Sequence, residues 1–459
     1  MLFASYITAA AAMTVALFYL FLRLKLVVTT TTMLFISLLL VYGPAALSFT
    51  LSGGEYMRLI RGWTNDVAVP PSMFPMIKDK VGDLGVIITN MNFSLALMYV
   101  GSIAGVEIIN RLFPSRARET EAALASWSGQ PLRHNWLEDR ILLLAISALF
   151  ALMLFFTIKE NHLGTVAHFF RIEGDNTERN LFRSHFGGSP NYIYRILLAA
   201  IAPMLVIWGF FAGIKDRAWP LLLATLLLFL VTLIGKIETL SKGPPAFFLI
   251  QIALASMLAF TNRISLRVAF TGLLLILLVI YVITRAIIIF PEGTSVIGSV
   301  YSRIFEVENE TLVENFAVFP HLHPFTWGAN IRPIAMLMGR PYVPSFSLVG
   351  YIWYGSPDIT SPTLFIADAW ADFAYAGVLV YSIIAGMVCR GIDITFLAKG
   401  KSVVGIAVLG ATFWGVLTLI TTALNIALLS GGLLLAPLVA AILMVATRSL
   451  SRTPEAVNR

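Results

Sequence analysis

Long runs of apolar residues, separated by short polar connections, follow one another along almost the whole chain. A helix needs about 20 apolar residues to cross the hydrocarbon layer of a bilayer. By this criterion the pattern predicts about eleven membrane-spanning helices, the last two of which also fit a re-entrant hairpin. Their approximate bounds are 3–22, 27–50, 85–108, 141–157, 196–214, 219–235, 246–261, 268–290, 364–389, 403–427 and 433–447. The sequence therefore predicts an all-α polytopic membrane protein with a single integral membrane domain, residues 1–459.

The composition agrees with this class. Hydrophobic residues make up 58% of the chain and charged residues only 12%, whereas soluble domains contain about 25% charged residues. The single cysteine, Cys389, excludes an intrachain disulfide. Because the sequence contains neither a nucleotide fingerprint nor a Cys/His metal-binding pattern, we predict no metal and no cofactor. We attribute the net charge of +7 to loops beside phospholipid headgroups and predict no nucleic-acid partner.

The distribution of Lys and Arg predicts the orientation of the spans. More than half of these residues lie in connections on one side, which the positive-inside bias makes cytoplasmic. The N-terminus is then periplasmic, the C-terminus is cytoplasmic, and three long loops near 52–84, 158–195 and 291–363 are extracytoplasmic. We expect the loops at 158–195 and 291–363 to cover an active site. The basic connections are Arg23/Lys25, Arg111–Arg140, Lys215/Arg217, Arg263/Arg267, Arg390–Lys401 and the C-terminus.

Two aspartates, Asp368 and Asp372, lie four residues apart inside a predicted span, and therefore on one face of its helix. A carboxylate in hydrocarbon costs at least roughly 2.5–3.5 kcal/mol. We therefore expect the pair to face a polar cavity, where it binds sugar hydroxyls, acts as a general base or couples ion movement. The alternative is a pair satisfied by backbone groups and water near the outer end of the helix.

The turn Lys236–Pro245 is predicted to be extracytoplasmic and to hold Lys236, Glu238 and Lys242 close together. Fixed cations of this kind suit a diphosphate, whose oxyanions they stabilise. An ordinary polar turn, ended by two prolines, explains the same residues.

The long outer loops supply further candidates. Arginine binds phosphate in a bidentate fork, histidine serves as acid or base, and tryptophan offers a flat surface to a sugar ring. The alternatives are a solvated charged surface and a structured aromatic loop. The candidates are Arg183 and His185 in the second loop, and Arg303, His321, His323, Trp327 and Arg332 in the third.

Three local patterns carry a resemblance to a known family. They are Leu240-Ser-Lys-Gly243, the Gly-Gly-x-x-x-Tyr-Ile stretch that enters the span at 196, and the run Ser361–Val378. With these patterns, the span count and the long outer loops, the chain resembles the Wzy-type oligosaccharide repeat-unit polymerases, relatives of the O-antigen ligases. It departs from them at Lys242, where arginine is common, and at Ala374, where glycine is common.

The resemblance implies a bacterial inner-membrane glycosyltransferase of the GT-C type. Such an enzyme transfers a growing glycan from an undecaprenyl-diphosphate donor to the next lipid-linked repeat unit, without a sugar nucleotide or a metal. We expect the donor, the acceptor, membrane lipids and a chain-length regulator protein as partners. The expected substrate-binding residues are Arg303, Arg332, Arg183, His185, Lys242, Lys236 and Trp327, and the expected catalytic residues are Asp372, Asp368, His323, His321 and Glu238.

Other functions share some of these features. An O-antigen ligase uses the same donor chemistry and differs in its acceptor. A secondary transporter also places carboxylates inside the membrane, but it typically shows paired halves with interrupted helices. A membrane assembly scaffold would need none of the outer-loop arginines.

Overall fold

The computed structural model describes residues 1–55, 72–135, 137–172, 176–187, 191–241, 243–263, 301–356 and 360–452, with single positions between 271 and 282. In this part of the chain, nine helices are long and apolar enough to cross a membrane. They confirm the prediction of an all-α polytopic membrane protein. The predicted span at 268–290 lies largely outside the described residues. The predicted span at 433–447 corresponds to a shorter apolar helix, Leu435–Thr447.

The described helices are numbered along the chain. Short π-helical turns at Tyr19–Arg23, Leu197–Ile201 and Ser302–Glu306 adjoin α1, α10 and α14. The helices are α1 Leu2–Phe18, α2 Thr30–Tyr42, α3 Pro44–Leu51, α4 Phe74–Val81, α5 Leu84–Leu112, α6 Pro114–Ala125, α7 Leu137–Lys159, α8 His162–Arg171, α9 Asn176–Phe186, α10 Tyr192–Ile196, α11 Ala202–Asp216, α12 Trp219–Glu238, α13 Gly243–Phe260, α14 Val307–Val318, α15 Arg332–Leu337, α16 Ser345–Tyr354, α17 Phe365–Phe396, α18 Val403–Thr421, α19 Leu424–Leu428 and α20 Leu435–Arg452.

Helices α5 and α17 form an extensive contact in the bundle. Small residues four apart line it on both sides, with Gly101 and Gly105 on α5 facing Ser382 and Gly386 on α17. A methyl group added at Gly105 would overlap the backbone carbonyl of Ile383. In membranes, helix association depends on close backbone approach of this kind, because lipid is as apolar as the helix surfaces. The small residues therefore determine how closely these two helices pack.

A buried carboxylate joins α17 to α2. Asp393 is fully buried, and its two oxygens accept hydrogen bonds from the backbone N–H groups of Thr30 (2.8 Å) and Thr31 (3.1 Å) and from the Thr31 hydroxyl (2.6 Å). The first N–H groups of a helix lack intrahelical partners, and negative charge is favourable at a helix N-terminus. Asp393 thus supplies acceptors for the first N–H groups of α2, although it lies more than 360 residues further along the chain.

Connections predicted to be cytoplasmic contact one another at one end of the bundle, here called the basic end. The backbone N–H of Val28 donates to the carbonyl of Asn262 (2.7 Å), and the Asn262 side chain donates to the carbonyl of Leu124 (2.8 Å). The N–H of Arg133 donates to the carbonyl of Lys401 (2.9 Å). The grouping of loops deduced from charge is thus reproduced in space, while the compartment they face stays a prediction.

The opposite end, here called the loop end, carries the described parts of 72–83, 160–191 and 301–364. Glu310 on α14 accepts a hydrogen bond from the N–H of Met73 (2.6 Å), which joins the first long loop to the third. The side chain of Asn309 donates to the backbone carbonyl of Val41 (3.0 Å). The hydroxyl of Thr363 donates to the backbone carbonyl of Glu308 (3.0 Å). α14 is therefore built into the protein, and the third long loop packs on the membrane helices.

Replacing Gly105 by alanine should lower the thermal unfolding midpoint of the purified protein. The added methyl overlaps backbone atoms that a rotamer change cannot move, and overpacking of this kind costs roughly 1–3 kcal/mol. Gly391→Ala on α17 is the matched control, because the structure places nothing within 4 Å of the added methyl. Equal midpoints for the two variants would contradict this account of the α5–α17 contact.

Candidate functional site

Helix α17 is interrupted where the predicted aspartate pair ends. Phe373 (φ −139°, ψ 23°) and Ala374 (φ 51°, ψ −140°) leave the helical conformation. A positive φ is costly for a residue with a Cβ and is the region that glycine adopts readily. Glycine in place of Ala374 would suit this backbone better. The break frees the carbonyls of the preceding turn for other partners.

Those partners come from the third long loop. The carbonyl of Ala371 accepts from the N–H of Thr326 (2.8 Å), and the carbonyl of Asp372 accepts from the N–H of Trp327 (3.2 Å). Each carbonyl lies immediately before the interruption. Loop backbone therefore replaces helical hydrogen bonds at this point.

The Asp372 carboxylate binds the same loop. Its Oδ1 accepts hydrogen bonds from the Thr326 hydroxyl and from the N–H of Gly328 (3.0 Å), and its Oδ2 accepts from the Tyr381 hydroxyl (3.2 Å). The residue is fully buried. Three donors around one carboxylate satisfy its charge at a depth where an unpaired charge would be costly.

Asp368 makes a second attachment one turn earlier on α17. Its Oδ1 accepts from the side chain of Asn330 (2.8 Å) and from the hydroxyl of Ser345. The Asn330 side chain in turn accepts from the N–H of Ser345 (2.9 Å). The two aspartates therefore anchor loop 326–345 to α17.

This geometry differs from the expected cavity-facing pair. At 5% and 0% exposed, Asp368 and Asp372 are enclosed by the loop that they bind. The physical reason is that loop hydroxyl, amide and N–H groups supply the donors that we expected from a substrate or water. Both acids hold loop 326–345 in place. The catalytic roles predicted for them stay predictions.

The anchored loop presents two of the predicted binding residues at its surface. Trp327 is 56% exposed, and its ring lies edge-on to those of Phe325 and Phe373. Arg332, at the start of α15, is also exposed. A flat aromatic side chain and a guanidinium thus occupy one rigid segment.

Tyr342 connects this segment to the second long loop. Its hydroxyl interacts electrostatically with Asp368 on α17, Arg332 on α15 and Tyr192 on α10. Burial raises the pKa of Tyr342, the Asp368 carboxylate raises it further, and the Arg332 guanidinium opposes the rise. Residues from three separate stretches of sequence therefore contribute to the electrostatic environment of this hydroxyl.

The two predicted histidines of the third loop differ in environment. His321 is exposed, whereas His323 is half-buried with its ring edge-on to Phe319. The Nδ1 of His323 donates to the carbonyl of Pro324 (2.7 Å). This hydrogen bond favours the tautomer whose Nε2 is free to accept a proton.

Arg183 and His185 lie exposed near the end of α9. The next residue but one, Gly187, packs against the turn that follows α12, where an added methyl would lie 3.1 Å from the carbonyl oxygen of Thr239. The end of the second loop and the turn after α12 are therefore neighbours at the loop end.

Lys236 requires a correction. We expected it in an exposed turn, but α12 continues to Glu238, and Lys236 is only 2% exposed. Its ammonium lies over the rings of Phe248 (5.4 Å) and Trp414 (5.6 Å), where the aromatic faces stabilise the cation. Glu238 is also buried, at 3% exposed. Lys242 lies outside the described residues.

A polar group at the loop end was not among the predicted residues. His162 is 1% exposed, and its Nε2 donates to Glu160 (3.1 Å) while its Nδ1 lies 3.3 Å from the Tyr194 hydroxyl. Glu238 interacts electrostatically with the same hydroxyl. A histidine two residues after a glutamate, directly beyond a span, was the available sequence signal. The partner of this histidine on another helix, Tyr194, could not be deduced from the sequence.

Arg303 lies beside an acidic helix. Its guanidinium lowers the pKa of Glu308, but burial dominates and raises that pKa to about 7. Burial and the neighbouring Glu314 raise the pKa of Glu310 to about 8, against a smaller opposing effect of the Met73 N–H. Both residues lie on α14, outside the nine membrane-crossing helices, and hold protons near neutral pH.

One group of side chains in the described residues has the composition of a metal site. His134, Asp139 and Asp216 place one possible ligand atom each within 4.8 Å of one another. They lie at the basic end, where Nε2 of His134 is 2.7 Å from Asp139 and 3.7 Å from Asp216. A hydrogen bond from the His134 ring to the Asp139 carboxylate accounts for the shorter of these distances without a metal.

Comparison of the chain with protein-family models, with curated proteins and with solved structures yields no match.

Removing either aspartate should loosen the third loop. Asp372→Ala leaves the Thr326 hydroxyl and the Gly328 N–H without their acceptor, at a cost of roughly 1–3 kcal/mol for each buried donor. Limited digestion with chymotrypsin should then cleave segment 320–343 several-fold faster than in the wild type. Asp79→Ala, which removes an exposed acid from the same end, is the control. Unchanged cleavage in both variants would show that the loop is held by other contacts.

The acidic helix α14 should make stability depend on pH. Between about pH 4.5 and 8, the folded protein retains protons on Glu308 and Glu310 that the unfolded chain has released. The free energy of unfolding should therefore fall as the pH rises through this range. We expect a lower thermal midpoint at pH 8 than at pH 5.

Glu310→Gln should reduce this pH dependence, because a neutral amide keeps an acceptor for the Met73 N–H and no longer titrates. The exposed Glu119→Gln should retain the slope of the wild type. An identical slope in all three proteins would rule out Glu310 as its source.

Proposed function

We propose that the chain transfers glycan from a polyprenyl-diphosphate carrier, and that the reaction takes place at the loop end. The observation that carries the proposal is that predicted residues lie exposed at the loop end on segments far apart in sequence. Trp327 and Arg332 lie on the loop that Asp368 and Asp372 anchor. Arg183 lies on α9, and Gly187, just after this helix, packs against the turn that follows α12. These segments supply the cations and the aromatic surface that the proposed reaction needs.

The departing lipid diphosphate gains negative charge in the transition state of such a transfer. Preorganised cationic donors stabilise that charge more strongly than water does. Arg332 and Arg183 are exposed and keep their charge at any relevant pH, which suits them to the diphosphate. Lys236 is enclosed by aromatic rings, which weakens its case as a direct ligand.

The sugar part of the substrate would contact the anchored loop. Trp327 offers an exposed ring on a segment that two aspartates hold in place. A ring fixed in this way loses little conformational freedom when a sugar stacks on it. The aspartates then act in our proposal chiefly as positioning residues.

The acceptor hydroxyl needs orientation and a base. His323 suits this task better than the enclosed aspartates, because its Nδ1 is engaged by Pro324 and its Nε2 accepts a proton. The Glu160–His162 pair has the same chemistry in a buried setting.

From the resemblance we further propose that the reaction is polymerisation of undecaprenyl-diphosphate-linked repeat units by an enzyme of the GT-C type. We place it in a bacterial inner membrane with the N-terminus periplasmic, and with a chain-length regulator as partner. A ligase differs only in its acceptor, so the experiment includes both acceptors.

Purified protein incubated with a polyprenyl-diphosphate-linked oligosaccharide should produce a ladder of longer glycans on a gel. Arg332→Gln and Arg183→Gln should each slow ladder formation, by on the order of 10²-fold where a single preorganised donor is lost. Arg118→Gln, an exposed arginine at the basic end, should match the wild type.

A single addition to a lipid A core acceptor, without a ladder, would identify ligase chemistry. Absence of transfer to either acceptor, with ion-gradient-dependent uptake in proteoliposomes, would overturn the proposal in favour of a transporter.

A further inference from the structure

A cavity of about 310 Å³ lies at the basic end of the bundle, far along α17 from the aspartate pair. It is formed where the end of α1 meets the connections that follow α5 and α13. The charged side chains that line it are the cations Arg23, Lys25, Arg263 and Arg390 and a single carboxylate, Glu121. The wall therefore carries an excess of positive charge.

Arg390 is the buried member of this set, with only 4% of its surface exposed. Its Nε donates to the side chain of Asn110 (2.7 Å), which fixes the direction of the guanidinium, and its Nη2 lies 3.9 Å from Glu121. A guanidinium held through its Nε keeps the N–H groups of its two Nη atoms as a planar fork. This is the arrangement that binds phosphate oxygens in a fork.

Arg23 is positioned by acids at the rim. It lies 3.3 Å from Glu121 and 3.9 Å from Glu107, and Glu107 in turn accepts a hydrogen bond from Tyr19 (2.6 Å). Glu121 is therefore shared between Arg23 and Arg390, and Arg390 also interacts electrostatically with Asp393.

Lys25 and Arg263 are exposed on the opposing connections. A backbone bridge between Val27 and Arg263 holds those two connections together. The spacing of the two exposed cations is thus set by the fold, and both belong to the cavity wall.

The cavity is continuous with the surface that meets lipid. Leu22 lines it and is 72% exposed, and Phe18 and Phe21 on the preceding turn are 59% and 51% exposed. Exposed apolar residues on a membrane-crossing helix face the hydrocarbon, so the cavity lies where this face reaches the headgroup layer.

We propose that this cavity binds the phosphate group of an anionic ligand, and that an anionic phospholipid headgroup is the source that its position favours. The phosphate is held by Arg390 from within and by Lys25 and Arg263 from the two connections. Binding would tie α17 to the two connections that carry Lys25 and Arg263. The inference is independent of the proposed glycan transfer at the other end.

Full-length protein in a nonionic detergent should be titrated with three probes: dihexanoyl-phosphatidylglycerol, dihexanoyl-phosphatidylcholine and inorganic phosphate. Microscale thermophoresis gives the affinities. The double variant Lys25→Gln/Arg263→Gln should weaken phosphatidylglycerol binding roughly tenfold or more, since each cation near an anionic lipid contributes about 1 kcal/mol. Arg118→Gln/Lys399→Gln removes the same charge from exposed positions of the same end and should stay within about twofold of the wild type.

Saturable binding of phosphatidylglycerol that the first double variant alone weakens, with no binding of phosphatidylcholine, supports the lipid source. Equal affinity for inorganic phosphate, with the same loss, supports the site and assigns it a water-soluble phosphate. Equal affinities in the wild type and both double variants, or absence of saturable binding, would overturn the proposal. If the double variant fails to fold, Lys25→Gln and Arg263→Gln singly should each give a smaller loss.

Discussion

A carboxylate inside an apolar bundle persists only where donors surround it, and this requirement shapes α17 and the segments that it contacts. α17 carries Asp368, Asp372 and Asp393, all buried. Each binds a segment that is remote in sequence: Asp393 the start of α2, and the other two the loop 326–345. Because α17 also packs closely on α5 through small residues, both ends of the molecule are organised around one helix.

The interruption at Ala374 makes the outer attachment possible. It releases the carbonyls of Ala371 and Asp372, which accept hydrogen bonds from the backbone of the loop. A long loop would ordinarily be mobile, but this one is bound by two carboxylates and two carbonyls. Trp327 and Arg332 therefore have fixed positions, which is what recognition of a large, flexible glycan requires. The unfavourable backbone at Ala374 is offset by these contacts.

The two ends of the bundle differ in which charged side chains are buried. At the loop end, burial raises the pKa of Glu308 to about 7 and that of Glu310 to about 8, while arginines such as Arg303 remain exposed. At the basic end, one buried arginine, Arg390, lines a cavity with other cations. The first arrangement lies at the end where we propose glycan transfer, and the second forms the cavity for which we propose a bound phosphate.

Hydrophobicity and charge are local properties, so the sequence by itself determined the class of polytopic membrane protein, the grouping of the loops and the position of Asp368 and Asp372 on one face of a helix. Only the tertiary structure decided what the acids bind, because Gly328 and Asp372 are 44 residues apart and share no periodic pattern. The same holds for Lys236, which the continuation of α12 places between aromatic rings, and for His162, whose partner Tyr194 lies on another helix. Such contacts depend on how the helices pack, and the packing of helices cannot be deduced from the periodicity of hydrophobic residues.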